Sequence, residues 1–111
     1  MALRVNEARE LTAKANEAAR LLGALANPHR LAVLCELVEG ERSVGKLVKA
    51  VGLTQSAVSQ HLAKLRGAGI VATRRDAQTI YYRLASGAAG SVMATLAEIY
   101  CHRRRPRKSV N

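Results

Sequence analysis

The sequence has no tryptophan and no phenylalanine, and three tyrosines are its only aromatic residues. It therefore lacks the stacking platforms on which single-stranded nucleic acid is held. A core without large rings must be built from Leu, Val and Ala, which favours helices. No apolar run approaches the length of a membrane span, and Met1 to Asn16 is too polar and charged for a signal-peptide core, so a cytoplasmic protein with no membrane partner is expected. Cysteine is confined to Cys35 and Cys101. In a reducing compartment such a pair does not form a permanent structural bridge, and any bond between them should be reversible and regulatory. No nucleophile, base and orienting group, no phosphate loop and no paired carboxylates stand out, so an enzyme is not expected, nor is a cofactor. Internal repeats, low-complexity blocks and interdomain linkers are also missing, and 111 residues suit one domain.

Acidic residues are scarce as well: 8 Asp and Glu stand against 18 Lys and Arg, a formal net charge of +10. Arg103, Arg104, Arg105, Arg107 and Lys108 supply half of that excess. The expected organisation is a folded, moderately basic domain over residues 1–104 and a basic flexible tail over 105–111 that adds nonspecific phosphate contacts. Such a charge balance suits a polyanionic partner.

What is present is concentrated between Ser43 and Leu84. Val44, Leu47, Val48 and Val51 recur at the spacing of one helical face. Gly52 breaks that helix, Leu53 packs the turn, and Thr54 is placed to N-cap a second helix over Gln55 to Ala68. Gly69 at C′ and Ile70 at C″, with Leu65 at C3, form the pattern of a Schellman stop. Ile70 to Arg75 and Ile80 to Leu84 then read as the two strands of a hairpin joined by Asp76-Ala77-Gln78-Thr79. That loop has neither Asn-Gly nor Asp-Gly, so its turn type is left open. The expected fold is mainly α with a two-stranded β-hairpin: a winged helix-turn-helix.

On the second helix Val58, Leu62 and Leu65 share one face, while Ser56, Ser59, Gln60 and Ala63 point the other way with Lys64 on the flank. An ordinary solvated face is the bland alternative, but the cap, the stop and the wing around it favour a surface that reads double-stranded DNA. Ser and Gln can hydrogen-bond base edges, Ala63 permits close approach, and Lys64 can meet a phosphate. Thr54, Gln55, Ser56, Ser59, Gln60 and Lys64, with Arg74, Arg75 and Gln78 on the wing, are the candidate DNA-binding residues. His61 lies nearer the apolar side and is expected to be packed or hydrogen-bonded rather than to contact a base.

Helices flank this unit. Leu11, Ala15, Ala18, Leu22 and Leu25 mark a first helix from about Asn6 to Leu25. A second is N-capped by Asn27, carries Pro28 at N1 and runs to about Glu39. The last, from about Ser86 to Arg104, presents Val92, Leu96, Ile99 and Tyr100. A chain this short has little core to receive both terminal stripes, so a homodimer is expected, and its twofold symmetry would match an inverted-repeat operator.

The two cysteines admit two readings. A lone helical cysteine is commonly small core filler. Cys35, however, sits at the edge of a stripe defined by Leu31, Leu34 and Val38, and Cys101 continues a row of small residues, Gly90, Ala94 and Ala97. If the second helix lies against that row, the sulfurs face each other. Residue positions alone leave this open.

The order of these elements, with Ala26-Asn27-Pro28-His29-Arg30-Leu31 opening the second helix and Gln55-Ser56-Ala57-Val58-Ser59-Gln60-His61-Leu62 in the fourth, resembles the ArsR/SmtB family of bacterial repressors, from about Leu11 to Cys101. The resemblance implies a homodimeric winged helix-turn-helix repressor that leaves its operator when an inducer binds. Metal-sensing members place cysteines in the first helix of the helix-turn-helix, or Asp, His and Glu on the last helix. Here Ser43 to Gly52 has no Cys or His, and Glu98 and His102 have no companion His or Asp, so no metal site is expected. The placement of Cys35 and Cys101 looks like the persulfide-responsive dithiol branch, which implies reactive sulfur species as inducer and a redox-sensing Cys35–Cys101 cross-link within one protomer. The alternatives are a metal, metalloid or haem sensor using Cys35, Cys101 and His102, and a constitutive DNA-binding or architectural protein with inert cysteines.

Overall fold

The computed structural model describes residues 3–101. Its helices are α1 (Val5–Ala13), α2 (Ala15–Leu25), α3 (Pro28–Glu36), α4 (Val44–Val51), α5 (Gln55–Gly67) and α6 (Gly87–Tyr100). Strands β1 (Arg42–Ser43), β2 (Val71–Asp76) and β3 (Thr79–Leu84) form one antiparallel sheet in the order β1-β3-β2. The winged helix-turn-helix is present as the sequence predicts, with one addition. Arg42 and Ser43 pair with Tyr82 and Tyr81, turning the hairpin into a three-stranded sheet. Two residues carry no period that a sequence reading could detect.

The expected single helix from Asn6 to Leu25 is interrupted at Lys14, which adopts φ −110°, ψ 21°. Its N–H is shared between the carbonyls of Glu10 and Leu11, at 3.2 and 3.0 Å. Two residues earlier, the Thr12 hydroxyl donates to the Ala8 carbonyl at 3.0 Å, a back-bond that bends helices. No side chain of α1 is buried, so packing within the protomer does nothing to straighten it.

Asn27 caps α3 as expected: its Oδ1 accepts from the N–H groups of His29 and Arg30, at 2.8 and 3.1 Å, with Pro28 at N1. The Arg30 side chain also closes the preceding helix, donating from Nε to the Ala24 carbonyl at 2.7 Å and from Nη2 to that of Gly23 at 3.3 Å. A cation there also complements the negative end of the α2 dipole. The α3 helix ends at Glu36, about a turn short of the expected Glu39, and its core face is Val33, Leu34 and Leu37. Val38, expected in the stripe, is 62% exposed, because the chain has left the helix before reaching it.

Ser43 Oγ caps α4 by accepting from Lys46 N–H at 3.2 Å, and Gly52 at φ +72° ends it. The stop of α5 is the anticipated Schellman arrangement. Ile70 N–H donates to the Leu65 carbonyl at 2.9 Å and Gly69 N–H to that of Arg66 at 3.0 Å, with Gly69 at φ +76°. Leu65 and Ile70 are both buried in the core. That core joins Val33, Leu34 and Leu37 of α3 to Leu47 of α4, Val58, Leu62 and Leu65 of α5, Val71 of β2 and Ala89 of α6. It contains no aromatic ring among its fully buried members, and Tyr82 only packs against its edge. Fully burying each Leu or Val is worth roughly 1.5–3 kcal/mol, so this aliphatic layer is what holds the helix-turn-helix together.

Candidate functional site

Burial sorts α5 as its periodicity predicts. Val58, Leu62 and Leu65 are inaccessible, whereas Gln55, Ser56, Ser59, Gln60, Ala63 and Lys64 are exposed. The Thr54 hydroxyl oxygen accepts from Ala57 N–H at 3.1 Å, which fixes the first turn of α5 and leaves the hydroxyl proton free to donate outward. His61 is half-buried, its ring 5.7 Å from that of His29. Desolvation, then the charges of Arg30, His29 and Lys64, holds its pKa below the usual histidine value.

Three of the candidate DNA-binding residues, Gln55 and Ser59 of α5 and Gln78 of the wing, line one cleft of about 490 Å³ whose other walls include Ser43, Thr79, Ile80 and Tyr82. The hairpin turn that presents Gln78 has Ala77 at φ +58° and no positive φ at Gln78. That is the sign pattern of a type II′ turn, here without the usual glycine.

The strand register sets the two wing arginines apart. Arg75 pairs with Ile80 and Arg74 with Tyr81, so their side chains leave opposite faces of the sheet. Ile80 and Tyr82 line the cleft beside α5, and Arg75 shares their face. Arg74 does not. Its guanidinium grips the Glu41 carboxylate through Nε and Nη2, at 2.9–3.2 Å, and lies 4.7 Å above the Tyr81 ring. The hydrogen bond from Arg74 lowers the Glu41 pKa against a smaller opposing effect of desolvation. Glu41 was not among the residues singled out from the sequence, and 33 positions of separation from Arg74 give no local signal of the pair.

Cys35 and Cys101 are free, exposed thiols. They line the same cavity of about 250 Å³, whose remaining walls are Leu31 of α3 and Met93, Leu96, Ala97 and Tyr100 of α6. Cys101 is not within the last helix, as the expected span to Arg104 required. It is the C-cap, extended at φ −107°, ψ 136°, with its N–H donating to the Ala97 carbonyl at 2.8 Å. The rest of that span, His102 to Arg104, lies outside the described residues, as does the expected tail over 105–111. Of the expected small-residue row, Gly90 approaches Leu84 of the wing, and Ala97 faces the cavity with Cys101.

The terminal helices keep large apolar side chains in solvent: Leu11, Leu22, Ile99 and Tyr100 are all more than half exposed. Among the described residues, no three His, Cys, Asp or Glu side chains gather as a metal site, and no helix is long and apolar enough to cross a membrane.

Residues 27–73 match the family described as bacterial regulatory protein, arsR family. The nodulation protein NolR of Rhizobium meliloti is 54% identical over 83 residues, 75% of this chain and 68% of NolR. The solved structure of the transcriptional repressor BigR from Xylella fastidiosa is similar with a TM-score of 0.81 and 43% identity, covering 86% of this chain and 97% of that one. Reduced HlyU from Vibrio cholerae is similar with a TM-score of 0.78 and 44% identity, over 85% of this chain and 99% of that one.

Proposed function

Since this chain belongs to the arsR family of bacterial regulatory proteins, and is a winged helix-turn-helix transcriptional regulator rather than an enzyme, we propose that it is a homodimeric repressor that senses reactive sulfur through Cys35 and Cys101. The observation that carries this reading is the shared cavity: two free thiols 66 positions apart in sequence line one apolar hollow between α3 and the end of α6. Similarity to a BigR described as a repressor and to a HlyU described as reduced is consistent with a repressor whose thiol state matters.

The chemistry is thiol exchange. A cysteine thiolate attacks the outer sulfur of a persulfide R–S–SH, forming Cys–S–SH and releasing RS⁻. The second thiolate then attacks the inner sulfur of that Cys–S–SH and expels HS⁻, closing a disulfide. If both cysteines are first converted by two persulfides, the terminal sulfur of one attacks the inner sulfur of the other, HS⁻ leaves, and the bridge retains a third sulfur. An apolar cavity suits either product, since a neutral Sₙ bridge loses less by leaving water than two thiolates do.

The bridge would act mechanically. Val33, Leu34 and Leu37 of α3 pack with α4 and α5, while α6 carries the exposed Ile99 and Tyr100. With α1, α2 and α6 forming the dimer contact, a link from α3 to the end of α6 changes how the two α5 helices are spaced. An operator with fixed half-site separation then favours the reduced form, with a coupling of ~1–3 kcal/mol. On DNA, Ser56, Ser59 and Gln60 would reach base edges, while Thr54, Gln55, Lys64, Arg75 and Gln78 would meet the backbone and groove walls. The test is operator affinity: a duplex selected from a random pool by the reduced protein should bind an organic-persulfide-treated sample 5- to 150-fold more weakly, about the span of that coupling. Equal affinity of both samples, or selection of no duplex by the reduced protein, would reject the reading.

A further inference from the structure

The sequence placed Arg74 and Arg75 together as wing contacts to DNA. Their geometry separates them, and we propose that Arg74 is a positioning residue: with Glu41 it braces the wing against the segment joining α3 to α4, and the DNA contact falls to Arg75. This rests on the DNA-binding reading above and extends it to how the wing is held.

Three observations combine. Alternation along β2 sends Arg74 to the face opposite the cleft beside α5, where Arg75 shares the face of Ile80 and Tyr82. The Arg74 guanidinium is already engaged on two sides, by both oxygens of Glu41 and by the Tyr81 ring. A planar guanidinium held by a fork of hydrogen bonds has its direction fixed as well as its charge matched, which a single point contact would not achieve.

Glu41 is well placed for this. It precedes β1, whose Arg42 and Ser43 pair with Tyr82 and Tyr81 of β3, and β3 pairs in turn with β2. The ion pair therefore spans the sheet from its first strand to its last, passing over the middle one. It also ties the far strand of the wing to the exit of α3, the helix that carries Cys35. An exposed pair such as this, with half of the Arg74 side chain and 31% of the Glu41 side chain accessible, contributes little to overall stability. Its effect is on where the wing points.

Charge exchange separates a brace from a phosphate contact, because a glutamate at position 74 cannot bind phosphate. The substrates are the duplex selected by the reduced wild-type protein, the same duplex trimmed of the flanking backbone on which the wing lies, and duplexes substituted at the base pairs read by α5. Arg74→Glu and Glu41→Arg alone should each lose the affinity that the flanking backbone adds, by at least roughly fivefold, while preference at the α5 base pairs is kept. A general folding defect would reduce both. The double variant carrying Glu41→Arg and Arg74→Glu should recover the contribution of the flanking backbone. Arg74→Gln, which loosens the wing but leaves the Arg75 cation in place, should lower the slope of log affinity against log salt by less than Arg75→Gln, which removes the contact itself and lowers it by about 1. A double variant as impaired as Arg74→Glu, or a slope lowered by Arg74→Gln as much as by Arg75→Gln, overturns the proposal. If no duplex is selected by the wild-type protein, it is the DNA-binding reading that fails instead.

Discussion

The imidazole rings of His29 and His61 lie 5.7 Å apart, centroid to centroid, with their planes tilted by 39°. They join the first turn of α3 to the inner flank of α5, among the cations Arg30 and Lys64. The His61 pKa is lowered by desolvation first and by those charges second. The folded protein thus binds fewer protons than the unfolded chain in the window between that lowered value and the ordinary ~6.5. The stability from this group is complete above about pH 6.5 and is lost as the pH falls through the folded value. Urea midpoints should therefore decline on acidification through this range, and His61→Gln should flatten the decline. A midpoint that rises on acidification, or a slope unchanged in the variant, contradicts the assignment.

Two glycines at the end of α5 should respond to alanine in opposite directions. A Cβ at either Gly67 or Gly69 meets no atom within 4 Å, so only backbone preference decides. Gly67 is helical, and Gly67→Ala should stabilise by about 0.5–1 kcal/mol through the entropy of the unfolded chain. Gly69 holds φ +76°, so Gly69→Ala should destabilise by about 1–2 kcal/mol. Denaturant titration of both variants checks the signs, and two shifts in the same direction would refute the account of the stop.

Replacing Ser56 or Gln60, both exposed on the outer face of α5, should relax base preference at particular operator positions by about 1–3 kcal/mol. Arg75→Gln should instead weaken all duplexes alike and flatten the salt dependence. Competition binding with point-substituted operators at several salt concentrations distinguishes the two. An Arg75 variant that lost preference between sequences while keeping its salt slope would reverse the roles assigned to wing and helix.

The features legible in the sequence were those written in neighbouring residues. Asn27 and Pro28, Thr54, and the Leu65-Gly69-Ile70 stop each signal through side chains a few positions apart, and each appears in the structure as expected. The face of α5 was legible because burial has the period of the helix. Glu41 with Arg74, and β1 with β3, depend on residues brought together only by the fold, and no local pattern marks them. The break at Lys14 was hidden for another reason: Thr12, Ala13, Lys14 and Ala15 contain no Gly or Pro, and the bend follows from a back-bonded threonine in a helix that buries nothing. Cys35 and Cys101 fall between these cases. Their helices could be placed from periodicity, but a common cavity depends on how α6 lies against α3, which the sequence left open.

The most direct test loads reduced protein on its operator, adds an organic persulfide in less than equivalent amount, and separates the released protein from the protein that stays bound. Peptide mass mapping of both fractions then reads chemistry and release together. The released fraction should carry the Cys35 peptide joined to the Cys101 peptide of the same protomer, directly or through added sulfur, and dithiothreitol should return it to the operator. The retained fraction should carry both thiols free. Joined peptides on protein still bound to DNA, or a bridge between two protomers, would contradict the account.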